Sequence, residues 1–353
     1  MDLANSLTAP LPVAVVIPCF RARASILGVV EGVIGRVAHV YVVDDACPEQ
    51  STVLLAGRFP PSRLTVLRHA CNQGVGGAMI TGYRQALADG HRVVVKMDAD
   101  GQMRAQDLPA LVAPLLCGEA DYAKGNRFFD LGLLGGMPRL RLFGNACLSF
   151  VNKLSSGYWE VMDPTNGFTA IHRAALSRLP LDRLARRYFF ESDMLFRLGT
   201  IRAVVRDVPM PAVYGAEVSS LRIGRVLADF PRRYAACLLK RFFYLYVLRD
   251  FNVGSLNTLL GLPMLGFGAG FGALHWWHSI ETGVPAATGT VMLAVLPVIL
   301  GVQLLLQAVS FDVANRCTAP LQTLLAAPRR ARAALPQPEA VSPDITGPDV
   351  PAG

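Results

Sequence analysis

The run Val93-Val94-Val95-Lys96-Met97-Asp98-Ala99-Asp100-Gly101-Gln102 joins a short β-branched stretch to two carboxylates one residue apart. In an extended chain, side chains at i and i+2 point the same way, so Asp98 and Asp100 can face one pocket. Two convergent carboxylates suit a hard divalent cation, Mg²⁺ or Mn²⁺, that keeps several waters and shares itself with substrate phosphates. An EF-hand is excluded, because Gly101 comes too early and the twelfth loop position is Pro109. Asp-x-Asp also occurs in plain solvated turns, so its meaning depends on the elements around it.

Those elements alternate. Val13–Ile17, Val40–Val43, Leu64–Leu67 and Arg92–Lys96 read as strands, with amphipathic segments at Ile26–Val37 and Gly76–Ala88 between them. The alternation predicts a doubly wound α/β sheet with ligands beyond the C-terminal strand ends. Pro18-Cys19-Phe20, Asp44-Asp45 and Asp98-Ala99-Asp100 each close a strand, which gathers them at one edge.

Composition adds a membrane. Of 353 residues, 52% are hydrophobic and 17% charged, more apolar than an ordinary soluble domain. The excess lies late in the chain: residues 251–280 and 282–311 contain no Asp, Glu, Lys or Arg. Each run exceeds the ~20 residues that span a bilayer, and the spans are placed at about 254–277 and 289–311. Arg232, Arg233, Lys240, Arg241 and Arg249 precede them, and Arg316, Arg329, Arg330 and Arg332 follow, while the connector His275–Thr290 has no Lys or Arg. By the positive-inside rule both flanks are cytoplasmic. The expected organisation is an N-terminal extension (1–12), a cytoplasmic domain (13–220), basic and aromatic interfacial helices (221–250), a two-helix hairpin (251–313) and a cytoplasmic tail (314–353), Pro- and Ala-rich and expected to be disordered from Pro328. The first apolar run, Val13–Ile17, is too short for a signal peptide.

Several classes drop out. The net charge of +8 concentrates beside the hairpin, which points to an anionic bilayer rather than nucleic acid. The seven cysteines form no CxxC pair and read as reduced packing residues. No Walker A sequence is present, and Gly74, Gly76 and Gly77 follow the third strand without dinucleotide-fingerprint spacing.

In this order the motifs resemble family 2 glycosyltransferases of the GT-A fold, and within them the polyprenyl-phosphate glycosyltransferases related to dolichyl-phosphate mannosyltransferase. Val15-Val16-Ile17-Pro18 matches the family's first strand, Val42-Val43-Asp44-Asp45 its second, and Asn72-Gln73-Gly74-Val75-Gly76-Gly77-Ala78 its glycine-bearing turn. Asp98-Ala99-Asp100-Gly101-Gln102, Gly125-Asn126-Arg127, Asp163-Pro164-Thr165-Asn166-Gly167-Phe168 and Glu191-Ser192-Asp193 follow. The resemblance implies that Asp44 or Asp45 receives hydrogen bonds from the nucleoside base. Pro18, Asn72, Gly76, Asp98 and Gln102 complete the nucleotide-sugar site. Asp98 and Asp100 hold the cation, whose charge offsets that developing on the leaving nucleotide. Asp193, with Glu191 beside it and Asp100, makes the catalytic set, and Asp163 and Gly167 contact substrate. Arg127, Arg222 and Ser220 grip the acceptor phosphate, a task suited to arginine. His172 reads as structural. The chain departs from the family after Phe20, where Arg21-Ala22 stands in place of Asn-Glu, and this touches the identity of base and sugar.

The resulting expectation is an inverting, metal-dependent transferase that moves a sugar from a nucleotide diphosphate-sugar to polyprenyl phosphate on the cytoplasmic face, with a homo-oligomer allowed. Two alternatives stand beside it. One is a glycolipid or polysaccharide synthase with a hydroxyl acceptor, weakened because no Arg-Trp pair follows the base motif. The other is a non-catalytic protein that assists lipid-linked sugar assembly or flipping, weakened by the intact carboxylate pair.

Overall fold

A computed structural model describes residues 10–129, 139–211 and 223–326, with backbone alone at 139–143, 145 and 223–228. Seven strands form one sheet: β1 (Leu11–Cys19), β2 (Val37–Asp44), β3 (Leu64–Arg68), β4 (Val93–Lys96), β5 (Tyr122–Asn126), β6 (Thr169–His172) and β7 (Val205–Pro209). Their order is β3-β2-β1-β4-β6-β5-β7. β6 runs antiparallel to both β4 and β5, and the other pairings are parallel.

Period-two burial builds the layers. Val13, Val15 and Ile17 of β1 pack beneath α1 (Ile26–Ile34) and α3 (Leu108–Leu116), while Ala14 and Val16 pack beneath α2 (Val75–Ala88) and α6 (Phe190–Thr200). All five are fully buried, each large one contributing roughly 1.5–3 kcal/mol. The expected α/β sheet is therefore present, with two differences. The helix expected over Ile26–Val37 stops at Ile34, and Val37 opens β2. The sheet is also mixed, since apolar alternation carries no information about strand direction.

The segment expected to lie on a bilayer surface carries both buried and exposed apolar residues. In α7 (Ile223–Phe242), Tyr234 and Cys237 are buried against Phe189 and Phe196 of the sheet domain. Leu238 and Leu239, with Phe243 and Leu248 in the π-helical turn Phe243–Arg249, stay exposed beside Lys240 and Arg249. Then come α8 (Val253–Thr282) and α9 (Thr288–Ala314), which pack on each other. Both are long and apolar enough to cross a membrane, and only 11% and 6% of their most apolar windows are buried, unlike core helices of a soluble protein.

Two contacts tie this hairpin to the sheet domain. Asp312 near the end of α9 pairs with Arg241 at 2.5 Å, accepts from Trp159 Nε1 at 2.7 Å and accepts from the Tyr246 hydroxyl. Beyond α9, the backbone amides of Leu321 and Gln322 donate to the buried Asp121 carboxylate at 2.8 and 3.1 Å.

Candidate active site

The C-terminal ends of β1 and β4 open into a cleft of about 590 Å³. Pro18, Asp45 and Asn72 line it together with Asp98 and Asp100 of the turn after β4, Thr165 and Gly167 before β6, and Arg187, Tyr188, Glu191 and Ser192 around the start of α6. Phe230 from α7 and Leu148 from α4 (Arg139–Ser156) complete the lining. A neighbouring recess of about 160 Å³ shares Asp98 and Asp100 and adds Gln102 and Arg127.

The Asp-x-Asp pair meets the cleft by another route than the one the sequence implies. β4 ends at Lys96, so Asp98 and Asp100 lie in the turn beyond it. Asp98 Oδ1 accepts from Lys96 Nζ at 2.7 Å, and Asp100 Oδ1 accepts from the Gln102 amide at 3.0 Å. Among the described residues no cluster of three or more His, Cys, Asp or Glu side chains is placed to hold a metal. A cation here would therefore have two carboxylates and draw its remaining ligands from water and substrate, which fits Mg²⁺ or Mn²⁺ and not a structural zinc.

The other predicted residues separate. Asp44 turns inward: its oxygens accept from the Cys47 amide at 2.9 Å and the Thr52 hydroxyl at 2.6 Å, and it is absent from the cleft wall. Asp45 reaches the wall while accepting from His69 Nδ1 (2.7 Å) and the amides of Gln73 (2.8 Å) and Gly74 (2.8 Å). Asp45 thus fixes the loop that carries Asn72, whose Nδ2 donates to the Asp45 carbonyl at 3.3 Å. Gly76 serves close packing: its amide donates to Arg186 O at 2.9 Å, and a Cβ would overlap Ala185 O.

Glu191 and Asp193, two positions apart on α6, diverge by about 200° around the helix. Glu191 lines the cleft. Asp193 points into the fold, pairing with Arg197 at 2.9 Å and accepting from the Ala185 amide at 2.8 Å. Arg127 forks onto the fully buried Asp163, Nε to Oδ2 at 2.8 Å and Nη2 to Oδ1 at 3.2 Å. Those two residues thus form one unit on the Gln102 side of the site. His172 caps α5 (Arg173–Leu176) by accepting from the Ala174 amide at 3.2 Å, the structural part expected of it. Arg222 and Ser220 lie outside the described residues.

Residue types missed by motif reading are the buried lysines and Arg187. Lys96 is fully buried, with Glu191 Oε1 3.4 Å from its Nζ in addition to Asp98. Burial alone would push its ammonium pKa down, but the two carboxylates overcome this and raise it. Lys124, also buried, donates to the Asn166 carbonyl, and burial lowers its pKa to about 8 against the pull of Asp163 and Glu191. A lysine amid β-branched residues, directly before a carboxylate pair, was the available signal for Lys96.

A seven-stranded mixed sheet with an Asp-x-Asp turn at the end of its central strand defines a GT-A type transferase. The model of the family described as "Glycosyl transferase family 2" matches residues 14–179. A UDP-N-acetylglucosamine–dolichyl-phosphate N-acetylglucosaminyltransferase from Methanococcus voltae is 32% identical over 178 residues, covering 50% of this chain and 70% of that one. A polyprenol monophosphomannose synthase from Mycolicibacterium smegmatis is 30% identical over 206 residues, covering 56% and 75%. Among solved structures, mannosyl-3-phosphoglycerate synthase from Rubrobacter xylanophilus aligns with a TM-score of 0.49 at 18% identity, covering 69% of this chain and 78% of that one. The chain belongs to glycosyl transferase family 2.

Proposed function

We propose that this chain transfers a sugar from a nucleotide diphosphate-sugar to a polyprenyl phosphate at the cytoplasmic membrane surface. The observation that carries the reading is one cleft holding Asp98, Asp100 and Glu191, closed on one side by the α7 helix that leads into an apolar hairpin. The relatives in Methanococcus voltae and Mycolicibacterium smegmatis, named for dolichyl-phosphate and polyprenol monophosphate chemistry, support it.

Asp45, Asn72 and Pro18 would receive the nucleoside, and Asp98, Asp100 and Gln102 the diphosphate end. Asp98 and Asp100 would hold Mg²⁺ or Mn²⁺, which when bound supplies positive charge to the leaving diphosphate. Arg127, positioned by Asp163, and Arg187 line the two recesses and offer guanidinium donors to phosphate oxygens. Ser220 and Arg222 are assigned to the acceptor phosphate from the sequence alone. The acceptor oxygen would attack the anomeric carbon opposite the nucleotide, so the configuration inverts. An acceptor phosphomonoester is already substantially ionised at neutral pH, so no base has to remove a proton. Glu191, the acidic side chain of its motif that faces the cleft, would then orient donor or acceptor.

The cytoplasmic placement draws support from the Lys and Arg distribution and from Asp121, which holds residues beyond α9 against the sheet domain, as a hairpin with both flanks on one side would require. The test is incubation of purified protein and Mn²⁺ with a panel of nucleotide sugars and undecaprenyl phosphate. One donor should yield a sugar-phosphate lipid. Asp100→Asn should lower turnover by about 10²-fold or more while the protein stays folded. Activity unchanged by both EDTA and Asp100→Asn would remove the metal from the reading.

A further inference from the structure

Lys96 sits where three parts of the cleft meet. Its Nζ is 2.7 Å from Asp98 Oδ1 in the Asp-x-Asp turn, 3.4 Å from Glu191 Oε1 on α6, and donates to the Gly167 carbonyl at 3.3 Å. Its side chain is 1% exposed, whereas those of Asp98 and Glu191 are 31% and 16% exposed and open to the cleft. Gly167 is pressed against the same pair: a Cβ there would overlap both Asp98 Oδ2 and Lys96 Nζ. A buried ammonium is costly unless paired, and a lysine that only filled the core could be replaced by an apolar residue of the same length. This one joins a carboxylate of the Asp-x-Asp turn to a carboxylate on α6.

We propose that Lys96 is a positioning residue for sugar transfer. Its ammonium holds Asp98 and Glu191 as one unit, fixing the Asp-x-Asp turn against α6, and contributes to the charge that meets the donor. Removing the Lys96 ammonium would leave the cleft one charge more negative, which favours a bare divalent cation beside Asp98 and Asp100. The same change disfavours an anionic nucleoside diphosphate. This rests on the cleft being the transfer site, but not on the identity of the acceptor.

Two effects of opposite direction separate this from a merely structural lysine. In Lys96→Met, Mn²⁺ alone should bind at least as tightly as in wild type, read from the electron paramagnetic resonance of free Mn²⁺, because the site is more negative. UDP or GDP, whichever the wild type binds, should bind in the presence of Mn²⁺ about tenfold or more weakly by calorimetry. The turnover number should fall by about 10²-fold as the Asp-x-Asp turn and α6 lose their common anchor. Lys96→Arg should restore nucleotide affinity through its charge and only part of the turnover number, since a planar fork does not replace a compact ammonium. Gly167→Ala, which keeps every charge and spreads the Asp98–Lys96 pair, should lower turnover with nucleotide affinity near wild type.

Wild-type nucleotide affinity and turnover in Lys96→Met would overturn the proposal. If Lys96→Met fails to fold, wild-type turnover in Gly167→Ala would overturn it instead. Joint loss of Mn²⁺ and nucleotide binding in a folded Lys96→Met would make the lysine structural. The two binding arms use no acceptor, so a wild type that binds Mn²⁺ and nucleotide yet transfers to no polyprenyl phosphate refutes the acceptor reading alone.

Discussion

At the scale of residues, the site turns on which carboxylates face solvent and which serve the fold. In the Glu191-Ser192-Asp193 motif, helical geometry puts only one acid in the cleft, and the structure gives that place to Glu191. Glu191→Gln should therefore lower sugar transfer by about tenfold or more, with a loss of thermal midpoint kept small because Asp98 still pairs with Lys96 at 2.7 Å. Asp193→Asn should do the reverse. It loses the Arg197 pair and weakens the bond to the Ala185 amide, so melting should drop by several degrees, while the turnover per folded molecule stays near wild type. Melting curves and initial rates on matched folded fractions decide this. A stable but inactive Asp193→Asn would return the catalytic role to Asp193. His69 illustrates what the sequence hides: it bonds both Asp45 Oδ1 and the Thr81 hydroxyl, at 2.7 and 2.8 Å, yet no motif marks it.

At the scale of elements, β1 to β4 were legible because each is an apolar run closed by a turn signal, and strand ends carry the motifs. β5, β6 and β7 were not. Tyr122–Asn126 contains Lys124 and Gly125, Val205–Pro209 contains Arg206 and Asp207, and Thr169–His172 is only four residues long. Their polar groups are absorbed by contacts between distant segments, such as Lys124 to Asn166 and Asp207 Oδ2 to the Met162 amide at 2.8 Å. The same reason kept Lys96 out of the motif reading, since its value depends on Glu191 far along the chain.

Asp207 also gives β7 a pH signature. Burial raises its carboxyl pKa from 3.8 to about 6, against the Met162 amide and Lys124, so the folded state holds the proton more tightly than the unfolded chain. The resulting stabilisation is complete below the unfolded pKa and disappears as pH rises through about 6. Asp207→Asn, which keeps an acceptor for the amide and removes the charge, should gain stability relative to wild type between pH 4 and about 6.5, on the order of 1–3 kcal/mol at neutral pH. Melting of the two proteins across that range checks the sign, and a constant difference would show that Asp207 does not titrate there.

At the scale of the whole molecule, a sheet domain, a basic and apolar α7 and a two-helix hairpin are joined at Asp312 and again at Asp121. The second tie holds Leu321 and Gln322, after α9, against the sheet domain, and the proposed topology puts both on the cytoplasmic side. A cysteine replacing Thr282, in the connector, should react with an impermeant thiol reagent from outside intact cells lacking other accessible thiols. One replacing Asp182, whose side chain is 85% exposed on the sheet domain, should react only after lysis. Ser51 is fully buried and would report nothing. The reverse labelling pattern would overturn the orientation. The central claim is the acceptor, and paired lipids test it most directly. Purified protein with Mn²⁺ and its labelled donor is offered undecaprenyl phosphate or undecaprenol in matched vesicles. The predicted result is label transferred to the phosphate lipid alone, with Arg222→Ala raising the KM for that lipid more than for the donor. Transfer to a hydroxyl-bearing lipid, with undecaprenyl phosphate left unmodified, would contradict it and make Glu191 the base of a glycolipid synthase.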